Sequence, residues 1–344
     1  MTSDFETSTS ETSPPRGSGG DTSTSTDTQA ARTPFGMWNS ERPRPGGKPA
    51  ARTAAKQTAR LARGLVLPGL IFTILLTQIP FVVTIVFSFL QWNQLRPDEI
   101  RFTGWDNYKV VFTGPDFLSS LGATVAITGS SVALSLLLGL FLAVLLDRKF
   151  RGRGLARTLA ITPFLVMPAA AALLWKWLML DSNVGMVNWS LGLLGIDPVQ
   201  WNTNFPLVTI VAVLVWQYTP FMMLILMAGL QSQGGDVLEA AAVDGAGPAR
   251  IFWSLTLPHL RPYAEIATLL GSIMLLQVFD PIAIMTKGTG GTKTLSYLLY
   301  ERAFIGLDIG QAAAFGVIAV IVTIGIAMIA LRSTFSIFVE GKVR

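Results

Sequence analysis

The side chains of this sequence that could carry out chemistry are few. The chain has 344 residues, no cysteine and a single histidine, His259. A disulfide framework, a cysteine nucleophile and a multi-histidine metal site are therefore excluded. Residues 288–294 resemble a phosphate-binding loop, but that loop requires a glycine directly before its lysine, and Thr292 stands there. With no other reactive constellation apparent, the sequence predicts no catalytic residue, no metal site and no cofactor of its own, and His259 is expected to be solvated or to face a partner.

Residues 231–262 form the most patterned polar part of the chain. Asp236 followed by Glu239 matches a capping box at the start of a short helix. Gly247 suits the left-handed residue that ends this helix, and Pro248 suits the first position of the next one. The pattern therefore predicts two short helices joined by a sharp bend.

The elements that position this loop are long and apolar. The chain is 51% hydrophobic and only 14% charged, whereas soluble domains carry about 25% charged residues. About 20 helical residues cross a hydrocarbon core of about 30 Å, and in lipid the backbone must pair within the segment. We therefore predict an all-α integral membrane protein with six transmembrane helices, at roughly 65–90, 119–146, 158–180, 206–230, 263–286 and 310–331.

Basic residues set the predicted orientation. They concentrate in the N-terminal tail, in the loops after the second and fourth apolar segments, and at the C-terminus. The positive-inside rule then places both termini and residues 231–262 in the cytoplasm. Pro163 and Pro168 fall inside the third segment and indicate either an ordinary kink or a hinge.

The first 63 residues differ from the rest. Residues 1–30 are rich in serine, threonine and glycine and have no apolar period, so we expect disorder. Residues 32–63 are basic and are expected to lie near anionic lipid. Nucleic acid is not expected as a partner, because no aromatic residues interleave with the basic ones. The predicted domains are a disordered cytoplasmic tail, 1–63, basic near the membrane, and a transmembrane permease domain, 64–344.

The sequence EAAAVDGA at residues 239–246, followed by Phe252 and by LPHLRP at 257–262, resembles the EAA loop of ABC importer permeases. In the carbohydrate-uptake branch the pattern reads E-A-A-x-x-D-G-A, then I/L-x-L-P-x-L-x-P. FTGWDNY at 102–108 is similar to the F-x-G-x-x-N-Y signature of that branch. The resemblance implies a type I importer permease fold with six helices and cytoplasmic coupling helices.

The same resemblance implies how the protein works. The EAA loop would dock on an ATP-binding-cassette ATPase dimer, which carries ATP and magnesium, so this chain would be no enzyme. The partners would be a second homologous permease and an extracellular solute-binding protein, in the membrane of a bacterial cell, and transport would proceed by alternating access. The residues expected to couple to the ATPase are Glu239, Ala240, Ala241, Asp244, Gly245 and Arg250.

The nearest likeness within the branch is to mannitol and sorbitol permeases, carried by residues 164–168, 174–177 and 216–217. The usual T-x-G-G-P of the outer loop lacks its proline at 289–292. A neutral carbohydrate or polyol needs convergent polar groups and an apolar wall, and polar residues inside spans usually face the bundle interior. The predicted solute-pathway residues are Lys176, Trp216, Gln217, Tyr218, Gln277 and Asp280.

Several alternatives stay open at this point. Lys176 could instead reach lipid headgroups, and Asp280 could only cap a bend before Pro281. The solute could be a disaccharide or resemble glycerol phosphate. An ion-coupled carrier is a further alternative, although it should show mid-membrane carboxylates, and the spans hold only Glu265, near a cytoplasmic end, and Asp280, near an outer end.

Overall fold

The computed structural model describes residues 49–340, with the side chains of residues 64, 66–326 and 328. Contacts divide the chain into two units, Met1–Val66 and Leu67–Arg344. Helix α1 spans Pro49–Ser88 and so begins before residue 64, where the sequence predicted that the tail ends. Residues 49–63 are rich in alanine, arginine, lysine and glutamine, which favour helix outside the apolar part. The predicted disorder of residues 1–30 lies outside the described residues.

The part of the chain after α1 begins with two short strands and continues as helices. Strands β1 (Leu90–Gln91) and β2 (Arg101–Phe102) pair antiparallel and flank a 3-10 helix, Pro97–Glu99. The helices that follow are α2 Asp106–Thr113, α3 Pro115–Asp147, α4 Arg153–Leu165, α5 Pro168–Leu173, α6 Met186–Gly192, α7 Trp201–Asn204 and α8 Pro206–Ser232.

The second half holds the bent loop and the last membrane helices. These helices are α9 Gly235–Val243, α10 Pro248–Ile251, α11 Leu257–Leu276, α12 Leu295–Tyr300 and α13 Ile309–Glu340. Three wider, π-helical turns continue α5, α10 and α12 in that order: Leu174–Met179, Phe252–Thr256 and Glu301–Ile305. A fourth such turn, Ile282–Thr286, follows α11.

Four helical stretches among the described residues are long and apolar enough to cross a membrane: Val66–Ser88, Pro115–Asp147, Pro206–Ser232 and Ile309–Ile326. Two of the six predicted spans need correction. The third is not one straight helix, because α4 and Pro168–Met179 meet at 95° and count at most as one broken span. The fifth predicted span breaks after Leu276, and its helical structure resumes before Pro281. Helix α11 is not apolar enough to count as a span, because its first turns carry polar and charged residues.

The ends of these helices gather into two layers. At one end, which we call the far end, Asn93 forms a bridge with Asp308, Arg302 binds Asp116, and Gly290 packs against Pro206. At the other, the coupling end, one cavity is lined by Asp147 of α3, Leu230 of α8 and Pro248 of α10. Consecutive segments therefore run back and forth between two ends, as the six-segment prediction requires.

Helices α3 and α8 form the centre of the bundle. The α8 side chains Ile210, Leu214 and Met222 are fully buried, and so is Ile127 of α3. The two backbones approach closely at Gly139, where an added Cβ would lie 2.8 Å from the Cβ of Met222. Small residues at helix contacts allow such close packing in membrane proteins.

The signature at 102–108 closes the far end of α1. The Asn107 amide donates to the carbonyls of Ser88 and Leu90, both at 2.9 Å. The Tyr108 hydroxyl lies 2.6 Å from Ser88 Oγ. The asparagine thereby satisfies carbonyl groups that the end of a helix leaves without partners.

Candidate functional site

The predicted bend is present, two residues earlier than expected. Helix α9 ends at Val243, and Gly245 adopts the left-handed conformation with φ of +83°. Gly247 was predicted in that role but is extended, with φ of −68°, while Pro248 starts α10 as predicted. The capping box is wrong, because Gly234 precedes the helix and no side chain caps it. A glycine at the bend is physically required, since other residues rarely adopt a left-handed backbone.

The predicted coupling residues lie together on the surface of this bend. Glu239, Ala240, Asp244, Gly245 and Arg250 are exposed, and Ala241 is half-buried. Within the described residues neither Glu239 nor Arg250 forms an ion pair.

Large apolar side chains are exposed beside these residues. Val243 has 87% of its surface exposed, and Val237 has 54%. Exposed apolar side chains grouped with unpaired charges are typical of a surface that binds another protein.

The bend is tied to the membrane helices by hydrogen bonds of His259. Its Nε2 lies 3.1 Å from Ser232 Oγ and 3.2 Å from the Gly229 carbonyl. The Tyr263 hydroxyl lies 2.8 Å from the same Ser232 oxygen. His259 is therefore not simply solvated, because it joins the start of α11 to the end of α8, on either side of the loop.

Gln217 lies where the third segment bends. Its side chain is 3% exposed, and its Nε2 donates to the Val166 carbonyl at 2.9 Å. Val166 directly follows α4, so its carbonyl is not part of a continuous helix. The Gln217 Oε1 has no hydrogen-bond partner among the described residues, which leaves a buried acceptor beside the bend.

The residues on either side of Gln217 in the sequence, Trp216 and Tyr218, pack against other aromatic side chains. Trp216 packs edge-on against Trp175, with 5.7 Å between ring centroids. Tyr218 is 9% exposed and packs against Phe164 at 6.2 Å. Sequence analysis named Trp216 and Tyr218 but not their aromatic partners, because nothing in a single sequence shows which rings meet.

The other predicted solute residues lie elsewhere. The half-buried Lys176 donates from Nζ to the Ile284 carbonyl at 2.7 Å, so it bridges two segments rather than reaching for headgroups. It lines a cavity of about 190 Å³ at the far end. Gln277 is exposed and lines a separate cavity of about 600 Å³, together with Phe279 and Tyr300.

Asp280 is half-buried just before Pro281, at the restart that follows the break after α11. The six predicted solute residues are therefore spread over several surfaces of this chain, and their shared role stays a prediction.

A charged cluster at the far end was not foreseen. Arg302 binds Asp116 at 2.7 Å, Lys293 binds Glu301 at 2.8 Å, and Lys293 lies 3.8 Å from Asp116. The four side chains are 29–35% exposed. They join the start of α3 to the loop before α12 and to the turn after it, and their separation in sequence gave no signal of this contact.

Residues 288–294 serve a structural purpose at the far end. Gly288, Gly290 and Gly291 all have positive φ, and Gly290 packs on Pro206 at the start of α8. A short helix follows, as in a phosphate-binding loop, but Lys293 is held by carboxylates. Burial raises the pKa of the Tyr297 hydroxyl above its ordinary value.

The sequence matches a family of transport proteins. Residues 135–339, more than half of the chain, match the family described as binding-protein-dependent transport system inner membrane component. A probable ABC transporter permease protein of Sinorhizobium fredii is 36% identical over 265 residues, covering 76% of this chain and 85% of the relative. The trehalose/maltose transport system permease protein MalF of Thermococcus litoralis is 33% identical over 279 residues, covering 80% and 93%.

A third relative is the sn-glycerol-3-phosphate transport system permease protein UgpA of Pectobacterium atrosepticum, 33% identical over 288 residues, covering 81% of this chain and 94% of the relative. Among solved structures, a bacterial ABC transporter involved in the import of the polysaccharide alginate has a chain with a TM-score of 0.71 at 20% identity, covering 83% of this chain and 99% of that one. The predicted type I importer permease fold is confirmed. This multi-pass membrane protein therefore belongs to the inner-membrane permease components of binding-protein-dependent ABC transport systems.

Proposed function

We propose that this chain is one of two permease subunits of an ATP-driven importer of a neutral carbohydrate. Its bent pair α9–α10 docks on a separate ATPase dimer, which binds ATP and magnesium, and a solute-binding protein delivers solute at the far end. Both termini then face the cytoplasm. The observation that carries the proposal is the exposed surface around Gly245, with Val243 and with Glu239 and Arg250, neither of which forms an ion pair within the described part of the chain.

The substrate class rests on the groups that line the interior. Trp175 and Trp216 form an indole pair, and the buried amide of Gln217 keeps an Oε1 acceptor with no hydrogen-bond partner among the described residues. Such a combination of aromatic wall and amide suits sugar hydroxyls. A phosphate ester would need convergent cations, but Lys176 already binds a backbone carbonyl. The named solutes of the relatives MalF, trehalose and maltose, fit this environment better than the sn-glycerol-3-phosphate of UgpA.

The assembled transporter tests this proposal in proteoliposomes. The vesicles would contain both permeases and the ATPase dimer, with the solute-binding protein outside and ATP inside. We expect ATP-dependent uptake of trehalose or maltose, with mannitol as the polyol competitor and glycerol-3-phosphate as the anionic one. Preferred uptake of glycerol-3-phosphate would contradict the neutral class. Uptake that persists without ATP would support an ion-coupled carrier and overturn the importer assignment.

A further inference from the structure

A furrow runs along the coupling half of α3. Three neighbouring cavities, of about 580, 290 and 370 Å³, share walls along this helix. The first two share Val144, Arg148 and Phe252, and the last two share Leu137 and Leu140. We propose that this furrow binds one anionic phospholipid of the coupling-side leaflet, with an acyl chain in the furrow and the headgroup at Arg148.

The length of the furrow matches one leaflet. Its lining on α3 runs from Leu136 to Arg148, which spans about 18 Å at the helical rise of 1.5 Å per residue. Half of the bilayer hydrocarbon is about 15 Å thick. An acyl chain whose headgroup is held at Arg148 would therefore end near Leu136.

The walls suit a hydrocarbon chain. Leu137 and Phe141 are each 64% exposed, and Leu145 is 46% exposed, along the same side of α3. Leu257 and Pro258 form part of the opposite wall of the third cavity. Arg261 also lines this cavity, and its charge is paired with Glu265 at 3.3 Å. The remaining side chains named here offer apolar contact, as an acyl chain requires.

The mouth of the furrow is positively charged. Arg148 lines both cavities there, and Lys149 and Arg151 follow it, all three exposed. The nearest carboxylate, Asp147, is already engaged by two other arginines, at 3.6 and 3.8 Å. The three exposed cations thus remain available, and basic pockets beside membrane helices bind anionic headgroups.

An exposed indole also lies at this mouth. Trp253 lines the same cavity as Arg148 and is 67% exposed. Tryptophan is enriched at the level of lipid headgroups. The indole and the cations therefore lie at the mouth, where the headgroup of a phospholipid would be, and the apolar walls lie deeper, where its acyl chain would be.

Native mass spectrometry of the assembled transporter tests the site. The complex would be extracted from vesicles of equal parts phosphatidylcholine and phosphatidylglycerol. We expect it to retain phosphatidylglycerol preferentially, and the triple variant Arg148→Gln/Lys149→Gln/Arg151→Gln to retain at least about tenfold less, because basic residues beside membrane helices attract anionic headgroups. Leu140→Trp, which fills the furrow and keeps the charges, should also release the lipid.

The matched control removes three exposed cations at the far end: Arg96→Gln/Arg101→Gln/Lys109→Gln. It should retain phosphatidylglycerol as the unmodified protein does. Equal retention by the coupling-end triple variant and this control would overturn the proposal. A second measurement introduces a single cysteine, because the chain has none of its own. Phe141→Cys should react with a lipid-soluble maleimide. Cross-linking of that position to the second permease would show a protein in the furrow and would also overturn the proposal.

Discussion

The Gln217 amide donates to the Val166 carbonyl at 2.9 Å, across the point where the third membrane segment turns by 95°. A bend of this size frees backbone carbonyls, and in lipid such groups need a partner within the protein. Pro168 prevents the helix from continuing, because proline has no backbone N–H. The buried glutamine on α8 therefore stabilises the broken segment from the neighbouring helix.

We expect Gln217→Leu to destabilise the permease. The substitution leaves the Val166 carbonyl buried without a donor, at a cost of about 1–3 kcal/mol. The measurement is the thermal unfolding midpoint of the purified complex. Gln231→Leu is the control, because Gln231 is exposed on the same helix. Equal midpoints for the two variants would show that the bend does not depend on this hydrogen bond.

Gly245→Val should uncouple the transporter. The valine would be forced to a φ of +83°, which costs about 1–2 kcal/mol. Because no atom lies within 4 Å of the added Cβ, the effect is on the backbone alone. We expect ATP-dependent uptake and co-purification of the ATPase to fall about tenfold, the factor that 1.4 kcal/mol corresponds to.

Gly247→Val provides the control for that experiment. Gly247 is extended, with φ of −68° and ψ of 161°, and its added Cβ also meets nothing within 4 Å. Valine is well suited to extended backbone, so uptake should stay close to that of the unmodified protein. Equal losses in both variants would mean that side-chain bulk against the ATPase, and not the bend, is decisive.

The far-end charge cluster should show coupling between Asp116 and Arg302. These groups are about one-third exposed, so we expect a coupling energy of about 0.5–1 kcal/mol after solvent screening. A double-mutant cycle with Asp116→Asn and Arg302→Gln measures it through the stability of the complex. The exposed pair Asp106–Lys109 is the comparison and should couple less strongly. A coupling energy of zero for Asp116 and Arg302 would show that the charge cluster does not stabilise the contact between α3 and the segment around α12.

Gly139→Ala should loosen the contact between α3 and α8. The added methyl group would lie 2.8 Å from Met222 Cβ and 2.9 Å from the Met223 nitrogen. Overpacking of this kind costs about 1–3 kcal/mol. Gly129→Ala on the same helix meets nothing within 4 Å and should leave the unfolding midpoint unchanged or slightly raised. A Gly139→Ala variant as stable as Gly129→Ala would contradict the close approach.

Sequence alone predicted four of the six membrane segments as single helices and the presence of a bent loop, because hydrophobic length and a long spaced motif are local signals. It was wrong where neighbouring residues could serve equally well. Gly245 and Gly247 can both end a helix, and the structure uses the first. The break at Pro168 was predicted as a kink or a hinge, but neither its angle of 95° nor the hydrogen bond from Gln217 was predicted.

Long-range pairings had no signal in a single sequence. Arg302 and Asp116 are 186 residues apart, and Lys176 and Ile284 are 108 residues apart. Opposite charges and free carbonyls are common, so only the packed helices determine which ones meet. For the same reason the solute-pathway residues could be chosen by polarity but not placed relative to one another.

The hydrogen bonds of Asn107 and Tyr108 to residues at the end of α1 have a consequence for folding during synthesis. The partners of these hydrogen bonds all lie between residues 88 and 108, so the bonds themselves use no group from later parts of the chain. Proteins are synthesised from the N-terminus, and early portions can fold while the remainder is still on the ribosome. These hydrogen bonds of the first far-end turn can thus form during insertion, before α13 packs against the turn at Gly310.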